Sequence, residues 1–351
     1  MRLPSDIHVA ITGFSAMDNP YPGLAIARCL RTSADFDGRI TALVLDPLAN
    51  GAFSPGVVDH ICLVPYPAAG KDALLERIRG IHRKTPIHAL IPALDSEVIL
   101  YSQLAGELDD LGISLLLPPS DSIKLRAKHI LHEFCVAAGI RTPRTLILNS
   151  MEEVKGKGRE IGNPFVMKAV LCDARVCKSI AEGEQEYLRL FSLWGYPVLM
   201  QGYIAGEEYD VAALADKNSE MAGAVAMKKI GITDKGKACA AVTVEDQKLL
   251  HISRHIIKRL KWVGPVELEF IRDEKGAFHI IEINSRFPSW IYLTACAGQN
   301  LPLACVKLAL GMSPCLPSDY QVGKLFFRTI QDCTITDARL FELAVSGETF
   351  L

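Results

Sequence analysis

The stretch VELEFIRD (Val266 to Asp273), EKGA (Glu274 to Ala277) and FHIIEIN (Phe278 to Asn284), followed by Ser285 and Arg286, decides the reading of this chain. Two β-rich runs flank a turn at Lys275-Gly276, the pattern of a hairpin. Side chains alternate along a strand, so Glu267 and Glu269 share one face of the first run, and Glu282 and Asn284 share one face of the second. Two acidic strands meeting at a tight turn repel unless a cation lies between them. Carboxylate and amide oxygens suit hard Mg²⁺, whose shell substrate phosphates usually complete. A solvated sheet face could carry the same acids. Glu282, however, stands among Ile280, Ile281 and Ile283, and burying an acid unpaired is costly.

Outward from the hairpin, the N-terminal part alternates strand and helix. IHVAITGF (Ile7 to Phe14), ITALVLD (Ile40 to Asp46) and IHALIPAL (Ile87 to Leu94) read as buried strands, with helices over Leu24 to Arg31 and near Asp72 to His82. That order predicts a parallel sheet with helices on its faces, ending near LLLPPS (Leu115 to Ser120). One helix is expected from Ser120 and Asp121 to Gly139. Beyond it come β-rich runs at Pro164 to Val170, Pro197 to Ile204, Tyr209 to Asp216 and Gly223 to Ile230, and helices over Asp246 to Lys261 and Leu301 to Leu310. The final twenty residues carry no motif.

The 351 residues suffice for two or three packed units. Hydrophobic residues make up 49% and charged residues 22%, and 38 basic against 40 acidic residues give a net charge of -2. That balance leaves no footprint for nucleic acid or an anionic membrane. No apolar run reaches bilayer length, and Pro4, Ser5 and Asp6 stand where a signal peptide needs its apolar region, so a cytoplasmic protein is expected. The ten cysteines are scattered without a CxxC pair and read as reduced packing residues or surface thiols.

The hairpin resembles the metal-binding signature of ATP-grasp enzymes such as biotin carboxylase, the carbamoyl-phosphate synthase large subunit and D-alanine–D-alanine ligase: an acid on one strand, a short turn, then E-x-N with a following x-R. Glu282 lies thirteen residues after Glu269, as that pattern requires. The resemblance implies Mg²⁺, or Mn²⁺, held by Glu269, Glu282 and Asn284, with Arg286 meeting the substrate or the transferring phosphoryl group. It extends upstream in order. Lys128, in KLRAKHILHEFCVAAGIRTPRT, is similar to a lysine-bearing helix ahead of a Gly-Ile-x-x-Pro turn. Lys168, in NPFVMKAV, resembles the second ATP lysine, a compact charge suited to a phosphate oxygen. In QGYIAGEEYDV, Gln201, Tyr203 and Ile204 take the adenine positions and Glu208 the ribose position. Lys228, with Lys229 as an alternative, matches a basic residue that reaches the phosphates. The implied fold is α/β: a parallel-sheet pre-ATP-grasp domain at 1–118, an ATP-grasp domain at 119–330 with a lid at about 142–203 and a core at about 204–330, and a tail at 331–351.

The implied activity is ADP-forming: a substrate carboxylate is phosphorylated to an acyl-phosphate, then attacked by an amine, with amino acids or peptides as substrates. A homodimer is compatible with it. Phosphorylation of bicarbonate or carbamate is one alternative, and a nucleotide-binding regulator with weakened catalysis is another. The chain departs from the family between the second lysine and the next helix, where relatives carry a glycine-rich loop whose N–H groups close over phosphates. AVLCDARVCKSIAE (Ala169 to Glu182) holds no glycine, and Arg175, Lys178 and Ser179 are expected to substitute through side chains. GITDKGKA (Gly231 to Ala238) only imitates a P-loop, since Ala238 lacks the hydroxyl and a strand-like run follows. His251 and His255 find no third ligand at a useful spacing.

Overall fold

The structure is a computed structural model that describes residues 2–17, 20–170, 173–233 and 236–351. Leu171 and Cys172 of the run Ala169 to Glu182, and Asp234 and Lys235 of the run Gly231 to Ala238, lie outside the described residues. The strands are β1 (His8–Thr12), β2 (Arg39–Val44), β3 (His60–Leu63), β4 (Ala89–Ile91), β5 (Thr145–Leu148), β6 (Phe165–Ala169), β7 (Ala174–Cys177), β8 (Val198–Gly202), β9 (Gly206–Ala215), β10 (Met221–Ile232), β11 (Ala238–Val244), β12 (Gly264–Asp273), β13 (Phe278–Asn284), β14 (Leu325–Phe327) and β15 (Glu348–Phe350). The helices are α1 (Gly23–Arg31), α2 (Lys71–Lys84), α3 (Asp95–Gln103), α4 (Ala105–Asp110), α5 (Ser120–Leu125), α6 (Lys128–Ala137), α7 (Glu152–Ile161), α8 (Ile180–Trp194), α9 (Gln247–Leu260), α10 (Tyr292–Cys296), α11 (Leu301–Ala309) and α12 (Asp337–Ser346). None among the described residues is long and apolar enough to cross a membrane. The chain forms two compact units: Met1–Ser120, Val211–Glu267 and Asn284–Leu351 in the first, Asp121–Asp210 and Leu268–Ile283 in the second.

The first unit contains the expected parallel sheet, ordered β15-β3-β2-β1-β4. Every residue of β1 is buried, as befits a parallel strand covered on both faces. Gly23 opens α1 because a Cβ there would lie 2.3 Å from the Thr12 carbonyl oxygen and 2.5 Å from that of Gly13. Only glycine lets the helix start so close to the strand end. The helix expected from Asp246 is present: the Asp246 carboxylate accepts from the backbone N–H of Lys248 and Leu249, and α9 buries Leu249, Leu250, Ile256, Ile257 and Leu260.

Residues 331–351, which show no motif in sequence, supply α12 and β15. β15 is antiparallel to β3, with Glu348 opposite Cys62 and Phe350 opposite His60. Gly347 ends α12 at φ +77, and its carbonyl accepts from Leu63 N–H at 2.8 Å and Arg77 Nη2 at 2.7 Å. A three-residue strand is too short to register as periodicity, which is why it escapes a reading of the sequence.

The second unit corrects two expectations. The helix expected over Ser120 to Gly139 is two helices. Ala127 leaves the helical region at φ -56, ψ 130, so Lys128 is the first residue of α6. Alanine and arginine favour helix, so no local propensity marks the break. Second, Ala169 to Glu182 is mostly regular structure. β6 and β7 are antiparallel, and Ser179 caps α8 by accepting from the Glu182 N–H at 3.2 Å. Glu182 in turn accepts from the Lys178 N–H at 2.8 Å, so this short run is a capping device. The sheet is ordered β5-β8-β6-β7, and one face packs Phe165, Met167, Cys177 and Met200 with Val154, Tyr187 and Leu190 of α7 and α8.

Leu343 of α12 is fully buried, whereas Val345 is 86% exposed. Leu343→Ala is expected to cost about 2–5 kcal/mol in urea unfolding, the range for a buried leucine truncated to alanine. Val345→Ala should stay within about 0.5 kcal/mol.

Candidate active site

In the second unit the structure brings together residues far apart in sequence. Register places Lys168 beside Leu199, and Val166 beside Gln201, which itself lies opposite Thr145. Directly opposite residues share a face, so Lys168, Gln201 and Thr145 stand on the face away from α7 and α8. With Lys128, His132 and Leu199 they line one small cavity. Gln201 is buried and donates from Nε2 to the Thr145 hydroxyl at 2.9 Å. That bond orients the amide. Lys128, at the start of α6, places Nζ 3.1 Å from Glu282 Oε2 on β13. Tyr203, in the link from β8 to β9, is exposed, while Ile204 and Glu208 are half-buried.

Lys168 is only 8% exposed. Burial pulls its ammonium down from 10.5 to about 8. Glu282 opposes that shift, Lys128 adds to it, and Glu269 and Glu208 oppose it. The residues that set this charge are thus the lysine and three carboxylates singled out in sequence. Within the second unit the carboxylate oxygens of Glu269 and Glu282 are donors of the kind Mg²⁺ takes.

Arg175 does not join the cavity. It lies opposite Met167 on β7, hence on the helix-covered face of the sheet, with Nη1 3.6 Å from the buried Glu186 of α8. Contrary to the expectation that it reaches phosphate beside Lys168, alternation along β7 turns it away from the face that carries that lysine. Ser179 is engaged in capping. Lys178 is exposed at the start of α8.

The first unit holds a second cluster. Glu267 is 5% exposed and accepts from Asn284 Nδ2 at 3.0 Å, Arg286 Nη1 at 2.7 Å and Trp290 Nε1 at 3.0 Å. Asp95, at the start of α3, accepts from Arg286 Nε at 2.9 Å and from the Ser285 N–H and hydroxyl at 3.1 and 3.0 Å. Arg286 is therefore held between two carboxylates. In sequence Glu267 is visible only as the neighbour of Glu269 on one face, and no role is assigned to Asp95 or Trp290. An acid in the first turn of a helix after a strand was the only available signal for Asp95. Lys228 is half-buried on β10 opposite Val242, and Lys229 is buried opposite Ala241 beside a register shift.

A profile for ATP-grasp in the biosynthetic pathway with Ter operon matches residues 196–325. The carbamoyl phosphate synthase large chain of Sulfurisphaera tokodaii is 25% identical over 300 residues, 79% of this chain, which spans 28% of that relative's length. The D-alanine–D-alanine ligase of Pseudomonas entomophila is 22% identical over 202 residues, covering 52% of this chain and 61% of the ligase. The biotin carboxylase domain of Hydrogenobacter thermophilus 2-oxoglutarate carboxylase, solved with MgADP, ADP and bicarbonate, is similar with a TM-score of 0.69. Its identity is 18%, and the match covers 90% of this chain and 73% of that one. The fold is ATP-grasp. The parallel sheet of the first unit is the one the ATP-grasp resemblance implied.

Two outcomes follow from these charges. The unfolded Lys168 keeps its proton to 10.5 and the folded one loses it near 8, so the unfolded state binds more protons between these values and stability rises with pH across that window. The binding of an anion runs the other way. At pH 9 about a tenth of the free chain carries the Lys168 proton, so the apparent affinity for ATP should be about tenfold weaker than at pH 7. In Lys168→Arg, which stays charged, the profile should be flat; calorimetric titration across pH 7 to 9.5 reads both. Arg286→Ala removes a buried partner of Glu267 and should cost about 3–5 kcal/mol in chemical unfolding, independent of any effect on turnover.

Proposed function

We propose that this chain is an ADP-forming ligase that phosphorylates a substrate carboxylate and passes the acyl group to an amine. The observation that carries this reading is the cavity lined by Lys128, Lys168 and Gln201, with Glu282 paired to Lys128 and, with Glu269 and Glu208, acting on the Lys168 charge. A buried ammonium beside carboxylates suits a ligand that brings both phosphate charge and a counter-cation. Gln201, with the backbone at Tyr203 and Ile204, would receive adenine, and Glu208 the ribose hydroxyls. Lys128, Lys168 and Lys228 would bind phosphate oxygens, with Lys178 at the start of α8 as a further contact. Glu269, Glu282 and Asn284 would hold Mg²⁺. Bound there, the ion offsets phosphate charge and polarises the transferring group.

A substrate carboxylate oxygen attacks the γ-phosphorus. The new O–P bond forms as the bond to the bridging oxygen breaks, and ADP leaves with that electron pair. Lys168 and Lys128 stabilise the charge that moves from the γ-phosphoryl toward the β-phosphate. The amine nitrogen then attacks the acyl carbon, the C–O bond to phosphate breaks, and the nitrogen gives up a proton as phosphate departs. Arg286, fixed by Asp95 and Glu267, would stabilise charge at the reacting carbonyl. Positioning by two carboxylates keeps its guanidinium plane in place without ordering cost at the moment of reaction.

The test is a screen of amino acids and short peptides for stimulated ADP release, with hydroxylamine added to trap the acyl-phosphate as a hydroxamate. Bicarbonate is included as one candidate acid. Carboxylate-dependent ADP and a hydroxamate of matching mass are expected. Glu282→Gln should reduce the rate by about a hundredfold or more with the fold intact, since it removes one anionic ligand. Release of AMP instead of ADP, or turnover in Glu282→Gln equal to wild type at saturating Mg²⁺, would overturn the assignment.

A further inference from the structure

A cluster unrelated to the nucleotide cavity lies at the edge of the parallel sheet in the first unit. His60 and Cys62 are two residues apart on β3 and so share a face. β15 places Glu348 directly opposite Cys62 and Phe350 directly opposite His60, on that same face. His60 Nε2 is 3.4 Å from Cys62 Sγ and 3.5 Å from Glu348 Oε2. The three candidate ligand atoms all lie within 4.8 Å of one another. A tetrahedral ion about 2.05 Å from nitrogen and oxygen and about 2.3 Å from sulfur sets N–O and N–S separations near 3.3 and 3.6 Å. The two separations from His60 Nε2 are of this size; Sγ also lies 3.7 Å from Nδ1, so the Cys62 side chain has to rotate to meet an ion held on the Nε2 lone pair.

The surroundings hold these ligands in place. The Phe350 ring stacks on His60 with centroids 4.0 Å apart and planes 2° from parallel, which fixes the imidazole orientation. The Lys84 ammonium pairs with Glu348 Oε1, so the carboxylate turns its other oxygen to His60. His60 is 2% exposed and Cys62 fully buried, whereas the Glu348 side chain is 16% exposed. Solvent reaches the cluster on the Glu348 side, where a water can complete four-coordination.

We propose that His60, Cys62 and Glu348 form a binding site for a zinc-class divalent cation that fastens β15 to β3. The nitrogen, sulfur and carboxylate set is one that zinc accepts, and hard Mg²⁺ does not favour a thiolate. The site would be distinct in ligand chemistry from the all-oxygen set proposed for Mg²⁺. Its consequence is mechanical. β15 is three residues long, and the helix before it exposes Phe341 and Val345, so a metal cross-link would carry much of the attachment of the C-terminal segment.

The experiment titrates the chelator-treated full chain with Zn²⁺ against a chromogenic chelator, and separately with Co²⁺. One zinc per chain is expected, binding at about micromolar or tighter. Cys62→Ser and Glu348→Gln should each weaken it at least tenfold, since even loss of an outer partner costs about that much. Lys84→Gln should tighten it, because the competing ammonium is gone; a merely structural role for the cluster predicts no such gain. Co²⁺ should give thiolate charge-transfer absorption that disappears in Cys62→Ser and persists when the exposed Cys296, Cys315 and Cys333 are replaced by serine. Zinc should also slow proteolytic cleavage near residues 331–350 in wild type but not in Glu348→Gln. Absence of zinc binding, or a site that survives both Cys62→Ser and Glu348→Gln, would overturn the proposal and leave a hydrogen-bonded polar cluster. Should Cys62→Ser fail to fold, Glu348→Gln and Lys84→Gln decide the matter alone.

Discussion

A carboxylate held in a protein interior must be answered by donors, and Glu267 on β12 is answered by three. Its desolvation would be intolerable with any one of them missing and nothing in its place. This requirement fixes the amide of Asn284, one edge of Arg286 and the indole of Trp290 at once. Arg286 then reaches Asp95, and Asp95 also takes the backbone and hydroxyl of Ser285. The segment after β13 thus has little freedom. The Asn284 amide nitrogen, the Ser285 N–H and hydroxyl and the Arg286 guanidinium each donate to an acid from elsewhere in the same unit. The x-R that follows E-x-N in the sequence is the outer half of this network.

The hairpin was legible because it sets acids in apolar runs, where period-two alternation assigns faces without any knowledge of the partner strand. The N-terminal strands were legible for the same reason, as continuous apolar runs between turn residues. What was missed has a common cause. The break between α5 and α6 falls at Arg126 and Ala127, residues that individually favour helix, so it comes from packing and not from propensity. β15 and α12 join the first sheet across nearly the whole chain length, and no local window can contain such a pairing. Glu267 is visible in the sequence, but its partners come from β13 and the segment after it, and a single sequence does not state who meets whom.

The lid segment shows how much depends on one residue of register. Ala169 to Glu182 lacks glycine, and its composition predicts that its cations take over from backbone amides. In the structure it is half of a hairpin, and alternation sorts its side chains onto two faces. Lys168 and Ala174 go to one face, Met167 and Arg175 to the other. A shift of one residue would exchange them and put Arg175 beside the cavity. The actual register is held by Phe165, Met167 and Cys177, which must all face α7 and α8 to be buried. The apolar packing of the sheet therefore decides which cation is available for chemistry. Composition alone gives only the number of cations.

The same logic explains why a lysine in this position is poised and not merely present. Lys168 is buried, so its proton is costly, and the neighbouring carboxylates recover only part of that cost, since the ammonium still sits near 8. A group held at this level gains more from an arriving anion than a fully hydrated ammonium would, because hydration has already been given up. Lys128 restrains the balance from the other side: it adds positive charge near Lys168 while it neutralises Glu282. The pair of lysines and the acids around them thus act as one coupled unit, whose response to a triphosphate is set by burial before any contact with it is made.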